Sequence, residues 1–198
     1  MKNTISLDIS EPIWNRFFWL APLVLIGTTD THGQTDFAPK HMVSPMGWDN
    51  YFGFVCTPKH TTYQNIQEKE EFTVTYVRPS QLLLSSLAAS PRCEDDQNKS
   101  ILSIFETVDA SQIDAQFLQD GYVFLECKLY KTIDGFGENS LITGTIVAAH
   151  IHHDALITSE QGDAELIRQA PLLAYISPHR FSTISESNVF PFPNHMKK

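Results

Sequence analysis

The sequence predicts a mainly β (α+β) fold: an antiparallel barrel with short peripheral helices. Three observations predict it. Two long extended runs, residues 122–133 and 140–151, flank a Gly-rich stretch, Asp134-Gly135-Phe136-Gly137-Glu138-Asn139, and read as a hairpin. Further runs at 22–29, 51–56 and 71–77 are apolar or alternate with the two-residue period of a strand. The glycine fingerprints of nucleotide-binding α/β folds, GxGxxG and GxxxxGK[ST], are absent. Hairpin-dominated strands with few helices favour closure into a barrel.

The elements follow in order. Residues 13–19 read as one or two helical turns after Glu11-Pro12, with Pro12 at an early helical position. The aromatic cluster Trp14, Phe17, Phe18 and Trp19 is too short to span a bilayer and is expected to pack on the body or on a second subunit. After the strand at 22–29, Gly33 supplies the positive φ of a turn. Residues 35–44 return extended. Pro39 cannot donate to a ladder, so this run is expected at an edge, interrupted, with backbone groups free for a ligand. A helix is expected at 81–89 with Ser80 as its cap, and short helical pieces at 99–106, 113–119 and 162–169. A last strand is expected at 172–176, and the chain from Asn188 reads as an extended tail. The whole, 1–198, reads as one domain with its core at about 20–184.

Composition narrows the functions. The chain has 198 residues, 42% hydrophobic and 19% charged, as an ordinary globular protein does. Its net charge of −9 disfavours nucleic acid and anionic membranes as partners. Cys56, Cys93 and Cys127 have no metal-like spacing; Cys56 and Cys127 lie in apolar strands and read as buried thiols. A reduced, cytoplasmic location is expected, and residues 1–20 lack a signal-peptide layout. The run Glu94, Asp95 and Asp96 reads as solvated loop charge. His150 and His152 share a strand face, but no third ligand at metal-like spacing accompanies them. No GxSxG elbow marks a hydrolase.

The densest chemical signal is the stretch 57–66. Thr57, Pro58, Lys59 and His60 end a strand, and Thr61 and Thr62 open a helical pattern. Hydroxyls, cationic side chains and helix N-terminal amides suit a phosphate, although a Thr at this place can also be a plain N-cap. A second segment, Ala38, Pro39, Lys40, His41 and Met42, offers backbone groups and an apolar wall.

With these pieces the chain resembles the flavin reductase-like family, the FMN-binding split barrels, over about residues 22–184. The resemblance rests on three parts. The first is the strand 22–29 with Gly33 and Asp36-x-Ala38-Pro39. The second is Thr62-x-x-Asn65-Ile66 followed by Glu71-Phe72. The third is Phe124-Leu125-Glu126-Cys127 with Gly144-x-x-Val147-x-x-His150-Ile151 and Asp154. It implies FMN as cofactor, NADH or NADPH as co-substrate, a homodimer, and a possible monooxygenase component as partner. It places the phosphate at Thr57, Pro58, Lys59, His60 and Thr62 and the flavin ring against Ala38, Pro39, Lys40, His41 and Met42. The flavin would carry the chemistry, and no catalytic side chain is assigned. The chain departs from the family pattern at Asp36, at Asn139, where relatives often carry His, and at Ala174-Tyr175-Ile176, where many read Arg-x-Gly. These departures leave open a flavin carrier without reductase activity. A different ligand on the same barrel, such as haem held by His41, His60 or His179, is a third reading.

Overall fold

The computed structural model describes residues 2–92, 99–158 and 163–191. Cys93, the acidic run 94–96 and the last residues of the tail lie outside them. The framework is a seven-stranded sheet. In chain order its strands are β2 (Val24–Thr29), β3 (Thr35–Lys40), β4 (Val43–Pro45), β5 (Tyr51–Cys56), β6 (Glu71–Tyr76), β9 (Val123–Phe136) and β10 (Asn139–Ile151). They pair in the order β3-β2-β6-β9-β10-β5-β4, and every pairing is antiparallel. The two edge strands, β3 and β4, are neighbours in sequence, separated only by His41 and Met42. The sheet therefore curls until its edges face one another, and the chain crosses the resulting split at these two residues.

Burial explains why β2 reads as an unbroken apolar run rather than an alternating one: all six of its residues are buried. Val24 and Ile26 join Phe52, Phe54, Phe72 and Ile142 inside the barrel. Leu25 faces the other way, with Phe37, Ala88, Leu118 and Leu173. Cys56 and Cys127 are free and buried. Cys127 lies deepest, and burial raises its thiol pKa above the usual range.

Several short elements differ from the sequence reading. Residues 113–119 are not helical: β7 (Thr107–Asp109) and β8 (Gln116–Leu118) pair as a small ribbon. The Thr73 hydroxyl donates to the Gln116 carbonyl at 2.6 Å, and the Leu118 amide donates to Thr75 Oγ1 at 3.3 Å. These side chains hold 116–118 extended against the sheet, overriding local helical preference. Gly27 permits that approach, since a Cβ there would press on the Gln116 carbonyl oxygen and Thr73 Oγ1. Gly27→Ala should therefore lower stability by about 1–3 kcal/mol, the scale of overpacking, read from a urea unfolding midpoint.

The expected helix at 13–19 is a single turn, closed by the Arg16 amide donating to the Ile13 carbonyl at 2.9 Å, and a bend that leads into β1 (Trp19–Pro22). This strand pairs with β11 (Leu172–Ser177), which pairs in turn with β12 (Arg180–Ile184). Trp19 Nε1 donates to the Trp14 carbonyl at 3.2 Å, folding the aromatic cluster on itself. The expected helix at 81–89 begins as a 3-10 turn, Pro79–Gln81, and continues as α2 (Leu82–Leu87). Its start is fixed by Gln81, whose side chain accepts the Arg78 amide at 3.0 Å, and not by Ser80. The piece at 99–106 is a 3-10 turn, Ser100–Ile104. The long hairpin is tighter than expected, with strands running through Phe136 and from Asn139. Pro39 sits on an edge strand, as expected, but β3 continues through it, with Pro39 opposite Leu25. The interruption falls two residues later, at the split. The remaining helices are α1 (Thr61–Lys69) and α3 (Asp163–Gln169).

Candidate functional site

The split and the start of α1 build one site. After β5, the His60 amide donates to the Thr57 carbonyl at 2.9 Å and turns the chain into α1. Two residues anchor that helix. Ile66 is fully buried in the barrel core. Asn65, also buried, donates to Thr28 Oγ1 on β2 at 3.0 Å. The Asn65-Ile66 pair therefore sets where the helix begins. At that beginning His60 makes no side-chain cap, and the first turn holds no acidic residue. Its positive end is left for another partner.

Four cationic side chains converge there. A cavity of about 410 Å³ is lined by Lys40 on β3, Lys59, His60, Thr61 and Thr62 at the start of α1, and Arg92 and Lys99. Asp36, on β3 and 3% exposed, holds two of the cations: its Oδ1 lies 3.1 Å from Arg92 Nη2 and 3.3 Å from Lys99 Nζ. Lys99 Nζ also donates to the Phe37 carbonyl at 2.9 Å, and Arg92 Nε donates to Thr61 Oγ1 at 3.1 Å. One carboxylate thus positions two cations and leaves the site positively charged. The imidazole of His60 registers this: burial, and then the charges of Lys40 and Lys99, hold its pKa below the usual range. Such a site suits a doubly charged phosphate ester, for which it offers a fixed field, hydroxyls and helix amides.

The candidate residues divide. Ala38, Pro39, Lys40, Lys59, His60 and Thr62 line this cavity. Thr57 does not: its hydroxyl donates to Asn139 Oδ1 at 3.1 Å, which also accounts for the side chain of Asn139. Pro58 forms the turn without lining the cavity. His41 and Met42 lie at the split. Both line an open apolar groove of about 490 Å³ with Trp14, Trp19, Leu20 and Met46. The His41 ring stacks on Tyr175 at 4.2 Å between centroids, with 28° between planes. Burial, with the charge of Lys40, lowers the His41 pKa. Asp36, Thr61, Arg92 and Lys99 were not among the expected ligands. Arg92 and Lys99 lie far from 57–66 in sequence, and their only local sign is basic charge on either side of an acidic run.

A second groove, about 610 Å³, shares Pro39 and Ala89 with the cationic cavity. Leu23, Leu82, Leu83, Tyr175 and Phe181 wall it, and His179 and Arg180 stand in its lining. Among the described residues no cluster of His, Cys, Asp or Glu is suited to a metal ion. No helix among them is long and apolar enough to cross a membrane.

Comparison with known proteins accords with this architecture. Three solved structures superpose over most of the chain. The nitrilotriacetate monooxygenase component B of Bacillus cereus aligns with a TM-score of 0.79 at 15% identity, covering 96% of this chain and 100% of that one. A flavoredoxin from Methanosarcina acetivorans aligns at 0.77 and 17% identity, covering 97% of each chain. The 2-nitrobenzoate 2-nitroreductase of Pseudomonas fluorescens aligns at 0.73 and 22% identity, covering 90% of this chain and 87% of that one. At these identities the likeness establishes the split-barrel fold. No curated protein sequence matches the chain. The family model described as "Flavin reductase like domain" matches residues 20–177, from β1 to the end of β11, and the chain belongs to that family.

Proposed function

We propose that the protein binds FMN and is an oxidoreductase that reduces flavin with NADH or NADPH. The observation that carries the reading is the convergence of Lys40, Lys59, Arg92 and Lys99 on the uncapped start of α1. In an acidic protein, a cation cluster beside free helix amides is best explained by a phosphate ester. Family membership supports a flavin, and in this reading the ester is FMN, with its phosphate in the 410 Å³ cavity and its ring along Ala38 to Met42 at the split. Lys40, Lys59, Arg92 and the Thr61 and Thr62 region hold the phosphate. Backbone groups where β3 ends meet the ring's polar edge, and Pro39 and His41 flank its apolar part. Bound, FMN supplies the hydride acceptor, its N5, for a reduced nicotinamide. The protein's own task is to hold the flavin, keep one ring face open and exclude water from the other.

The test is anaerobic addition of NADH, and separately NADPH, to the FMN-loaded protein. Loss of the oxidised-flavin absorption band with at least one nucleotide is expected. A band that survives both would leave a flavin carrier. Asn139 favours that second reading, since its side chain is engaged by Thr57 and offers no titratable group where relatives often carry His.

The same reading makes the protein a homodimer. The β9–β10 hairpin leaves Tyr130, Ile133, Phe136 and Val147 exposed, and Leu20, Met42 and Met46 are exposed around the 490 Å³ groove. A second copy covering this surface would remove much apolar area from water. Sedimentation equilibrium is expected to give twice the chain mass; a monomer mass at micromolar concentration would refute the dimer. A monooxygenase component fits as the consumer of reduced flavin, by analogy with the component B relative. The buried free thiols of Cys56 and Cys127 suit a reducing, cytoplasmic compartment.

A further inference from the structure

The 610 Å³ groove has a feature that FMN does not require. Its lining is largely apolar, with Leu82 and Leu83 of α2, Tyr175 and Phe181, and also carries Ser85 and Ser86. At its lining stands Arg180, the first residue of β12, opposite Ile176 in the ladder. Among the described residues no carboxylate pairs with Arg180; its guanidinium carbon lies 5.9 Å from the centroid of the Phe18 ring. Arg180 is exposed and lines the groove, on a protein whose net charge is −9. Its planar fork is matched by a carboxylate, which it can bind through two parallel hydrogen bonds. The adjoining walls, including the stacked pair His41 and Tyr175, are matched by an aromatic ring.

We propose that this groove binds a flat aromatic carboxylate, with its ring between α2 and Tyr175 and its carboxylate on Arg180. The groove meets the cationic cavity at Pro39 and Ala89, so the bound ring lies beside the wall assigned to the flavin. As a place for a molecule that exchanges electrons with the flavin, the site rests on the FMN reading. As a binding site for an aromatic acid, it stands on the groove and Arg180 alone.

The test uses 2-naphthoate and its neutral isostere 2-naphthamide, titrated by calorimetry into the protein without flavin and again into FMN-saturated protein. The acid is expected to bind at least tenfold more tightly than the amide in both states. Arg180→Gln is expected to bring the two within about threefold of one another, while FMN affinity stays within twofold of the wild type. Arg180 is exposed and its side chain makes no hydrogen bond among the described residues, so an unchanged melting temperature is expected to accompany that loss. Equal binding of acid and amide, or an acid preference that survives Arg180→Gln, would overturn the proposal. Loss of 2-naphthoate binding on saturation with FMN would also overturn it, by showing that the groove belongs to the flavin. Failure of FMN to bind, with an Arg180-dependent preference for the acid, would instead overturn the FMN reading and leave this site standing.

Discussion

Replacing Lys40 and Arg92 together with alanine should weaken FMN binding by about 3–6 kcal/mol, roughly a hundred- to twenty-thousand-fold. Both line the cavity at the start of α1 and come from different parts of the chain, so each would reach a phosphate held there from its own side. A hydrogen bond between charged partners contributes about 1.5–3 kcal/mol, roughly twice the neutral value. Losing two of them gives the expected range. Removing Lys40 has a second effect, because its charge helps to hold the His60 pKa down. A phosphate dianion beside His60 would raise that pKa, so FMN binding takes up protons where the free and bound values differ. Affinity should therefore rise as pH falls through the histidine range, and the slope should shrink in His60→Ala. Fluorescence titration of FMN across pH measures both effects. Affinity unmoved by the double substitution would place the phosphate elsewhere.

Glu126→Ala should destabilise the fold by about 3–5 kcal/mol. Glu126 lies on β9 next to the core residue Cys127, and strand alternation turns it to the opposite face, where it is fully buried. Its Oε1 accepts the Ser111 amide and the Ser111 hydroxyl, both at 2.8 Å, and its Oε2 accepts the Gln112 amide at 2.7 Å. Alanine would remove three hydrogen bonds to the carboxylate, whose donors sit on the exposed residues Ser111 and Gln112, at about 1–1.5 kcal/mol each, and release the loop that leads into β8. Burial alone would raise the pKa of this carboxyl. The three donors and His150, 3.3 Å away, more than offset it, and the net shift is downward. The sign for stability follows. A folded-state pKa below the unfolded value gives stabilisation that is complete above the usual glutamate range and is lost as pH falls through the folded value. Urea midpoints measured from neutral to acid pH should fall for the wild type, and the fall should be shallower for Glu126→Gln, which cannot titrate.

The two sites differ in how much of them the sequence carries. β2, β5, β6, β9 and β10 are legible because their pattern comes from burial by the barrel itself, on one face or on both. β1, β7, β8 and β12 are short, and partners impose their extension: β11 for β1 and β12, Thr73 and Thr75 for β8. A local reading of 113–119 sees helical residues and has no access to those hydroxyls. At the cavity, Lys40, Lys59, His60 and Thr62 are legible because two short segments concentrate charge and hydroxyls beside a helix start. Arg92 and Lys99 are not, because it is Asp36 that fixes them there. Asp36 itself reads in sequence only as a departure from the family pattern. In the fold it is buried and engaged, and its charge is spent on the two cations it positions. Thr57 shows the reverse: its hydroxyl suits a phosphate ligand, but it pairs with Asn139 at the end of the neighbouring strand β10.

In the proposed function, the cationic cavity at the start of α1 holds the phosphate of FMN. Titrating the wild-type protein with FMN and with riboflavin, the same ring without the phosphate, tests it most directly by flavin fluorescence quenching. FMN is expected to bind at least about a hundredfold more tightly than riboflavin, in line with the loss of two or more charge-assisted hydrogen bonds. Equal affinity for the two flavins would contradict it.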